Sequence, residues 1–147
     1  MATYEIVYVR KKISDDTPPV LGDARAAASY VRSACFPDEE CWRERSVAVY
    51  TDSKNRCLGQ AVISVGGPDS CPIDVRLVCK GALDVLAKNV ILAHNHPTGD
   101  PTPSKCDIEQ TGRLKRALDT LGVKLIDHVV LGESAFYSFA SEKEERW

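Results

Sequence analysis

The stretch Asn89-Val90-Ile91-Leu92-Ala93-His94-Asn95-His96-Pro97-Thr98-Gly99-Asp100-Pro101-Thr102-Pro103-Ser104-Lys105-Cys106-Asp107 decides how this chain is read. Residues Asn89 to Ala93 are a short apolar run, the pattern of a strand covered on both faces. Three prolines and a glycine make Pro97 to Pro103 a loop. Ser104-x-x-Asp107 is a capping box that opens a helix, Ser104 to Leu121, ended by Gly122. Strand, loop and helix in this order put both histidines where a central strand stops, the place where ligands gather in α/β sheets.

Upstream, Asp74 to Ala87 carries Val75, Val78, Ala82, Val85 and Leu86 at amphipathic-helix spacing. Ser46 to Tyr50 and Cys57 to Val65 are rich in β-branched and apolar residues. With Asp52-Ser53-Lys54-Asn55 between them, they predict an antiparallel hairpin that ends at Gly66-Gly67-Pro68. Asp23 is a suitable N-cap for a helix from Ala24 to Cys35, followed by an acidic turn, Pro37 to Glu40. Tyr4 to Val9 alternates like an edge strand, and Lys11 to Gly22 is a turn-rich connector. Downstream, Val123 to Leu131 and Ala135 to Ala140 are expected strands, and the charged tail Ser141 to Trp147 is expected to fray. The alternation of strands and helices predicts an α/β fold, a three-layer sandwich of one mixed β-sheet flanked by helices. Residues 1–43 supply a strand and helix of the same compact unit, 44–140 the main domain, and 141–147 the tail.

Composition narrows the function classes. A chain of 147 residues fits one domain, and its net charge of −2 gives no global attraction for nucleic acid or an anionic membrane. A nucleic-acid partner would need a local patch. The basic group Arg113, Lys115 and Arg116 has no interleaved aromatic residues and reads as a solvated helix face. No apolar run approaches the roughly 20 residues of a membrane helix, and the first residues do not resemble a signal peptide, so a cytoplasmic location is expected. The six cysteines, Cys35, Cys41, Cys57, Cys71, Cys79 and Cys106, form no Cys-x-x-Cys pair. They are expected to be reduced and mostly buried, with Cys106, inside the decisive stretch, set apart.

The chemistry rests on His94, His96 and Asp107. Histidines at i and i+2 of an extended segment point to one side, so both can reach one ion at about 2.0–2.1 Å while a carboxylate from the next helix supplies a third ligand. Two histidines, a carboxylate and an open position describe a catalytic zinc site, in which bound water has its pKa lowered towards roughly 7. Each part also has a plainer reading: the Ser104/Asp107 pair as a helix cap, and a strand-end histidine as a hydrogen-bonded structural residue. The joint occurrence of apolar strand, His-x-His, rigid loop and Ser-x-x-Asp favours the metal.

The sequence His94-x-His96, seven residues, then Ser104-x-x-Asp107 resembles the signature of the JAB/MPN (JAMM) metallopeptidases. More narrowly, residues 94–104 together with Leu125-Ile126-Asp127-His128 look like the RadC-like branch, with similarity from about Glu44 to Phe139. Thr98 stands where that family more often has serine. No helix-hairpin-helix module is recognisable in residues 1–43, so the chain reads as the short form, and a DNA-repair role is not carried over. The resemblance implies Zn2+ held by His94, His96 and Asp107, with Glu44 as general base just before the first hairpin strand; Glu39 and Glu40 are weaker alternatives, and a solvated surface acid is Glu44's plainer reading. It also implies that Ser104 stabilises an oxyanion. His128 and Asn95 are assigned supporting roles around the ligands.

The expected activity is hydrolysis of amide or isopeptide bonds in a peptide or isopeptide-linked protein. The competing reading is a non-catalytic binding module that contacts DNA or protein. A metal-dependent nuclease fits less well, because its His-Asn-His residues are dispersed over a ββα unit whereas these are contiguous. Zinc nucleoside deaminases share the broad architecture but use His-x-Glu and Pro-Cys-x-x-Cys ligands, which are absent here.

Overall fold

A computed structural model describes residues 2–3, 16–36, 43–66 and 73–147. The expected strand Tyr4 to Val9, the turn Pro37 to Glu40 with both alternative glutamates, and the loop Pro68 to Pro72 lie outside the described residues.

Helix α1 (Ala24–Cys35) begins where the Asp23 side chain accepts the Ala26 N–H at 2.8 Å. Strands β1 (Arg45–Thr51) and β2 (Cys57–Val65) form the antiparallel hairpin, and Asp52 organises its turn by accepting from the Lys54 and Arg56 amides. Helix α2 (Val75–Asp84) is capped by Asp74. It is followed by β3 (Asn89–Asn95), α3 (Lys105–Thr120), β4 (Lys124–Leu131), β5 (Ala135–Ser138) and β6 (Lys143–Arg146).

The six strands make one sheet in the order β2-β1-β3-β4-β5-β6, parallel only between β3 and β4 and antiparallel elsewhere. A parallel pair needs a crossover, and α3 supplies it. Side chains alternate across each strand, so the sheet has two apolar faces. On one, Val47, Val49, Ile91, Ala93 and Val129 pack against Ala27, Ala28 and Val31 of α1. On the other, Ala48, Tyr50, Val90 and Leu92 pack against Val78 and Ala82 of α2 and Leu114 and Leu118 of α3. The fold is therefore an α/β sandwich with its mixed sheet as the middle layer. Leu114 and Leu118 are fully buried, and truncating such a leucine to alanine costs about 2–5 kcal/mol. They pack α3 onto the sheet and with it place Asp107, which lies in the first turn of the helix.

The tail does not fray. Lys143–Arg146 adds a sixth strand to β5, and Trp147 packs its ring 5.1 Å from Phe136 beneath the Arg32 guanidinium. Charge along Ser141 to Trp147 concealed an edge strand whose side chains face solvent while its backbone pairs. Among the described residues, Cys35, Cys57, Cys79 and Cys106 are free thiols, but the expectation that most would be buried does not hold for these four: only Cys35 is buried, Cys57 and Cys79 are half-buried and Cys106 is exposed. No helix among the described residues is long and apolar enough to cross a membrane.

Candidate metal centre

Three elements deliver the side chains: the end of β3, the loop 96–104 and the first turn of α3. His94 lies in β3 on the face shared with Leu92, and the chain leaves the sheet at His96, whose N–H donates to the Leu131 carbonyl at 2.9 Å. Gly99 turns the loop with φ of 83°, a conformation that costs glycine little. The turn is closed by the Gly99 N–H on the His96 carbonyl and by the Glu133 N–H on the Gly99 carbonyl, both 2.9 Å. Gly132 backs the loop from the β4–β5 turn; a Cβ there would lie 2.4 Å from the Gly99 carbonyl oxygen. The result aims the Asp100 carbonyl at His96 Nδ1, 2.8 Å away. A carbonyl only accepts, so His96 carries a proton on Nδ1, and in the neutral ring Nε2 is the bare nitrogen that faces inward.

Asp107 reaches the same point from α3. The reciprocal capping box is present: Ser104 Oγ accepts the Asp107 N–H at 3.1 Å, and Asp107 Oδ2 accepts the Ser104 N–H at 2.7 Å. The plainer reading of this pair is thus correct and compatible with the other, since Asp107 is 1% exposed and its two oxygens also lie 3.3 Å from His94 Nε2 and His96 Nε2. The two imidazole nitrogens are 2.9 Å apart.

These spacings test the fit to a metal. Ligand atoms about 2.0–2.1 Å from a tetrahedral ion lie about 3.3 Å from one another. The two imidazole nitrogens are 2.9 Å apart and each lies 3.3 Å from a different oxygen of Asp107, so that one ligand atom from each of the three residues falls within 4.8 Å of the others, close enough for small side-chain shifts to bring them round one ion. A borderline cation that favours nitrogen and oxygen donors suits the set, so His94, His96 and Asp107 fit zinc.

The electrostatics favour a cation as well. Burial alone would push the Asp107 carboxyl up, but bonds and charge from the two histidines and the Ser104 amide hold it well below the usual carboxylate range. Burial depresses His94 below the ordinary histidine value against the upward pull of Asp107. Burial also lowers His96, yet Asp107, the Asp100 carbonyl and the charge of Glu44 together raise it.

Glu44 is half-buried immediately before β1, near enough for its charge to act on His96. Its backbone is held on both sides by Asn95, which lies between the two histidines and points the other way. Asn95 Oδ1 accepts the Arg45 N–H at 2.8 Å, and its Nδ2 donates to the Arg43 carbonyl at 2.9 Å. The Glu44 carbonyl accepts the Gly66 N–H at 2.8 Å. Asn95 therefore tethers the segment bearing Glu44 to the strand bearing the histidines. His128 is fully buried on β4, its Nε2 2.7 Å from His94 Nδ1 and its ring stacked on Phe139. Of the residues singled out in the sequence, His94, His96 and Asp107 converge, Ser104 caps Asp107, His128 bonds His94, and Asn95 holds the segment that carries Glu44. Arg113, Lys115 and Arg116 are exposed along α3, as a solvated face requires.

The profile of the RadC-like JAB domain matches residues 21–145, which include the whole of this site. The chain belongs to the RadC-like JAB domain family. Its relatives include a UPF0758 protein of Carboxydothermus hydrogenoformans, 42% identical over 101 residues, which cover 69% of this chain and 45% of that protein. A UPF0758 protein of Geotalea uraniireducens is 43% identical over 97 residues, 66% of this chain and 42% of that one. A third, from Streptococcus thermophilus, is 38% identical over 103 residues, 70% and 45% respectively. The chain spans less than half the length of these relatives, and their shared name states no activity.

Sequence reasoning passed over three contributors in this RadC-like JAB site. The Asp100 contact is made by backbone, which side-chain identity does not advertise. Gly132 acts through the space it leaves. Thr111 had a signal that went unused, its i+4 spacing from Asp107 on one face of α3.

Proposed function

We propose that this RadC-like JAB domain is a zinc-dependent hydrolase that cleaves amide or isopeptide bonds, with a peptide or an isopeptide-linked protein as substrate. The observation that carries the reading is the convergence of His94 Nε2, His96 Nε2 and the Asp107 carboxylate within 4.8 Å of one another, with the charge of Glu44 acting on His96. Zinc, when bound, supplies a Lewis acid that makes water acidic and polarises a carbonyl. Glu44 accepts the proton of the attacking water and returns it to the departing amine, a role for a carboxylate on a tethered segment. Ser104 keeps a hydroxyl proton after accepting the Asp107 N–H, and donates it to the oxygen that gains charge during attack. The loop fixes His96, and α3 fixes Asp107.

Hydrolysis of peptide and isopeptide-linked substrates by zinc-reconstituted wild type and Glu44→Gln tests this reading. The wild type should turn over, and the variant should retain zinc while kcat falls by about 10²–10⁴. Equal turnover by both contradicts the role given to Glu44, and no turnover by the zinc-loaded wild type contradicts the hydrolase and favours a module that binds DNA or protein.

A further inference from the structure

Behind the metal-facing atoms runs a chain of short hydrogen bonds that ends on a group with no freedom. Thr111 Oγ1 lies 2.6 Å from the Asp107 backbone carbonyl and 2.6 Å from His128 Nδ1; His128 Nε2 lies 2.7 Å from His94 Nδ1. A hydroxyl has one proton, and a carbonyl oxygen has none to give. Thr111 must therefore donate to Asp107 and accept from His128. His128 then carries its proton on Nδ1 and presents a bare Nε2, which only a protonated His94 Nδ1 can satisfy. In the neutral His94 ring the last consequence falls on the other side, where Nε2 is left without a proton and faces His96 and Asp107.

We propose that Thr111 and His128 are positioning residues that set the tautomer of His94, so that its Nε2 lone pair is presented to a metal before any metal arrives. The inference rests on the reading of His94, His96 and Asp107 as a metal site and concerns which nitrogen of a neutral ring holds the proton. The placement is built into the fold. Thr111 is one turn beyond Asp107 on α3, and the parallel register pairs Leu92 with His128 and His94 with Val130, which puts the two histidines on one face of adjacent strands. Phe139 stacks on one face of the His128 ring at 4.7 Å and 9° between planes, and the ring is fully buried, which favours this one orientation. One helix thus supplies both a ligand and the anchor that orients a second ligand. Outer hydrogen bonds of this kind are worth roughly 10–100-fold in metal affinity.

The test has two readouts. In metal-free protein, at mildly alkaline pH where the imidazoles are neutral, long-range nitrogen–proton NMR correlations should show the proton on Nδ1 of both His94 and His128. Free imidazole side chains in water favour the opposite tautomer. Thr111→Val, which removes the hydroxyl and keeps the shape, should lose this pattern and weaken zinc binding about 10–100-fold against a chromophoric chelator. Thr111→Ser should restore both. A proton on Nε2 of either ring in the wild type, or a Thr111→Val protein with wild-type tautomers and zinc affinity, overturns the proposal and leaves the metal site standing. A wild type that binds no zinc defeats the site reading, and the tautomers of the metal-free protein still decide the relay without any variant.

Discussion

Replacing Gly132 with alanine tests whether the loop 96–104 is held in place by close backbone contact. The added Cβ would sit 2.4 Å from the Gly99 carbonyl oxygen, 2.8 Å from Pro101 Cδ and 3.0 Å from the Ala135 carbonyl oxygen. Two of the three are backbone atoms, which cannot swing aside as a flexible side chain does. Restoring an ordinary contact of about 3.4 Å requires the Gly99 carbonyl to retreat by about 1 Å, since real Cβ atoms do not approach closer without a cost. That movement breaks the Glu133 N–H bond to Gly99 and strains the Gly132 N–H bond to Ala135, both 2.9 Å. At about 0.5–1.5 kcal/mol each, the loss is about 1–3 kcal/mol. In a domain of this size it lowers Tm by roughly 2–4 °C per kcal/mol. The same shift carries the Asp100 carbonyl out of reach of His96 Nδ1, so zinc affinity should fall about 10–100-fold. Calorimetry of the metal-free protein and chelator competition for zinc measure the two effects separately. Gly59→Ala is the control, because a Cβ there meets nothing within 4 Å. A Gly132→Ala protein with the Tm and zinc affinity of the wild type would refute the reasoning.

Other consequences are equally direct. Asn95→Ala removes both tethers of the Glu44 segment but no metal-facing atom; zinc content should stay at the wild-type level while kcat falls about ten- to a hundredfold, and an unchanged kcat would mean that the tether is idle. Asp127 is buried on β4, and burial raises its carboxyl above the ordinary value although the Ala140 and His128 amides and the Ser138 hydroxyl pull it back. Its folded pKa therefore exceeds its unfolded one, the native state holds the proton longer, and stability falls as pH rises through that window. In Asp127→Asn the Ser138 hydroxyl can turn to accept from the amide, so urea denaturation of the metal-free proteins should show the variant gaining on the wild type as pH rises from the acid side of the carboxylate range. A difference that stays flat with pH would contradict the assignment.

The sequence made some parts of this structure readable and concealed others for physical reasons. Helices α1 and α3 could be placed because Asp23 and Ser104 cap them, and α2 because Val75, Val78 and Ala82 recur at helical spacing, although it ends at Asp84, short of the expected Ala87, and leaves Leu86 exposed with φ of 52°. Strand β3 could be placed because it is buried on both faces and therefore uniformly apolar. Strand β6 was hidden because Lys143, Glu144, Glu145 and Arg146 make an edge strand through backbone pairing alone. His94, His96 and Asp107 were legible because ligation demands particular side chains at particular spacings. Their supports were legible only in part. Asn95 and His128 could be assigned near the ligands, but what each one holds depends on the register of β1, β3 and β4. The Asp100 carbonyl and the space at Gly132 leave no mark in side-chain chemistry.

His94, His96 and Asp107 converge on a point where one metal ion can be held. Elemental analysis of the wild type and His96→Ala, each purified without chelators and shown to be folded by circular dichroism, tests it most directly. The wild type should carry one zinc per chain, and His96→Ala should lose it. A folded wild type without bound metal, or a His96→Ala protein that keeps the full complement, would contradict it.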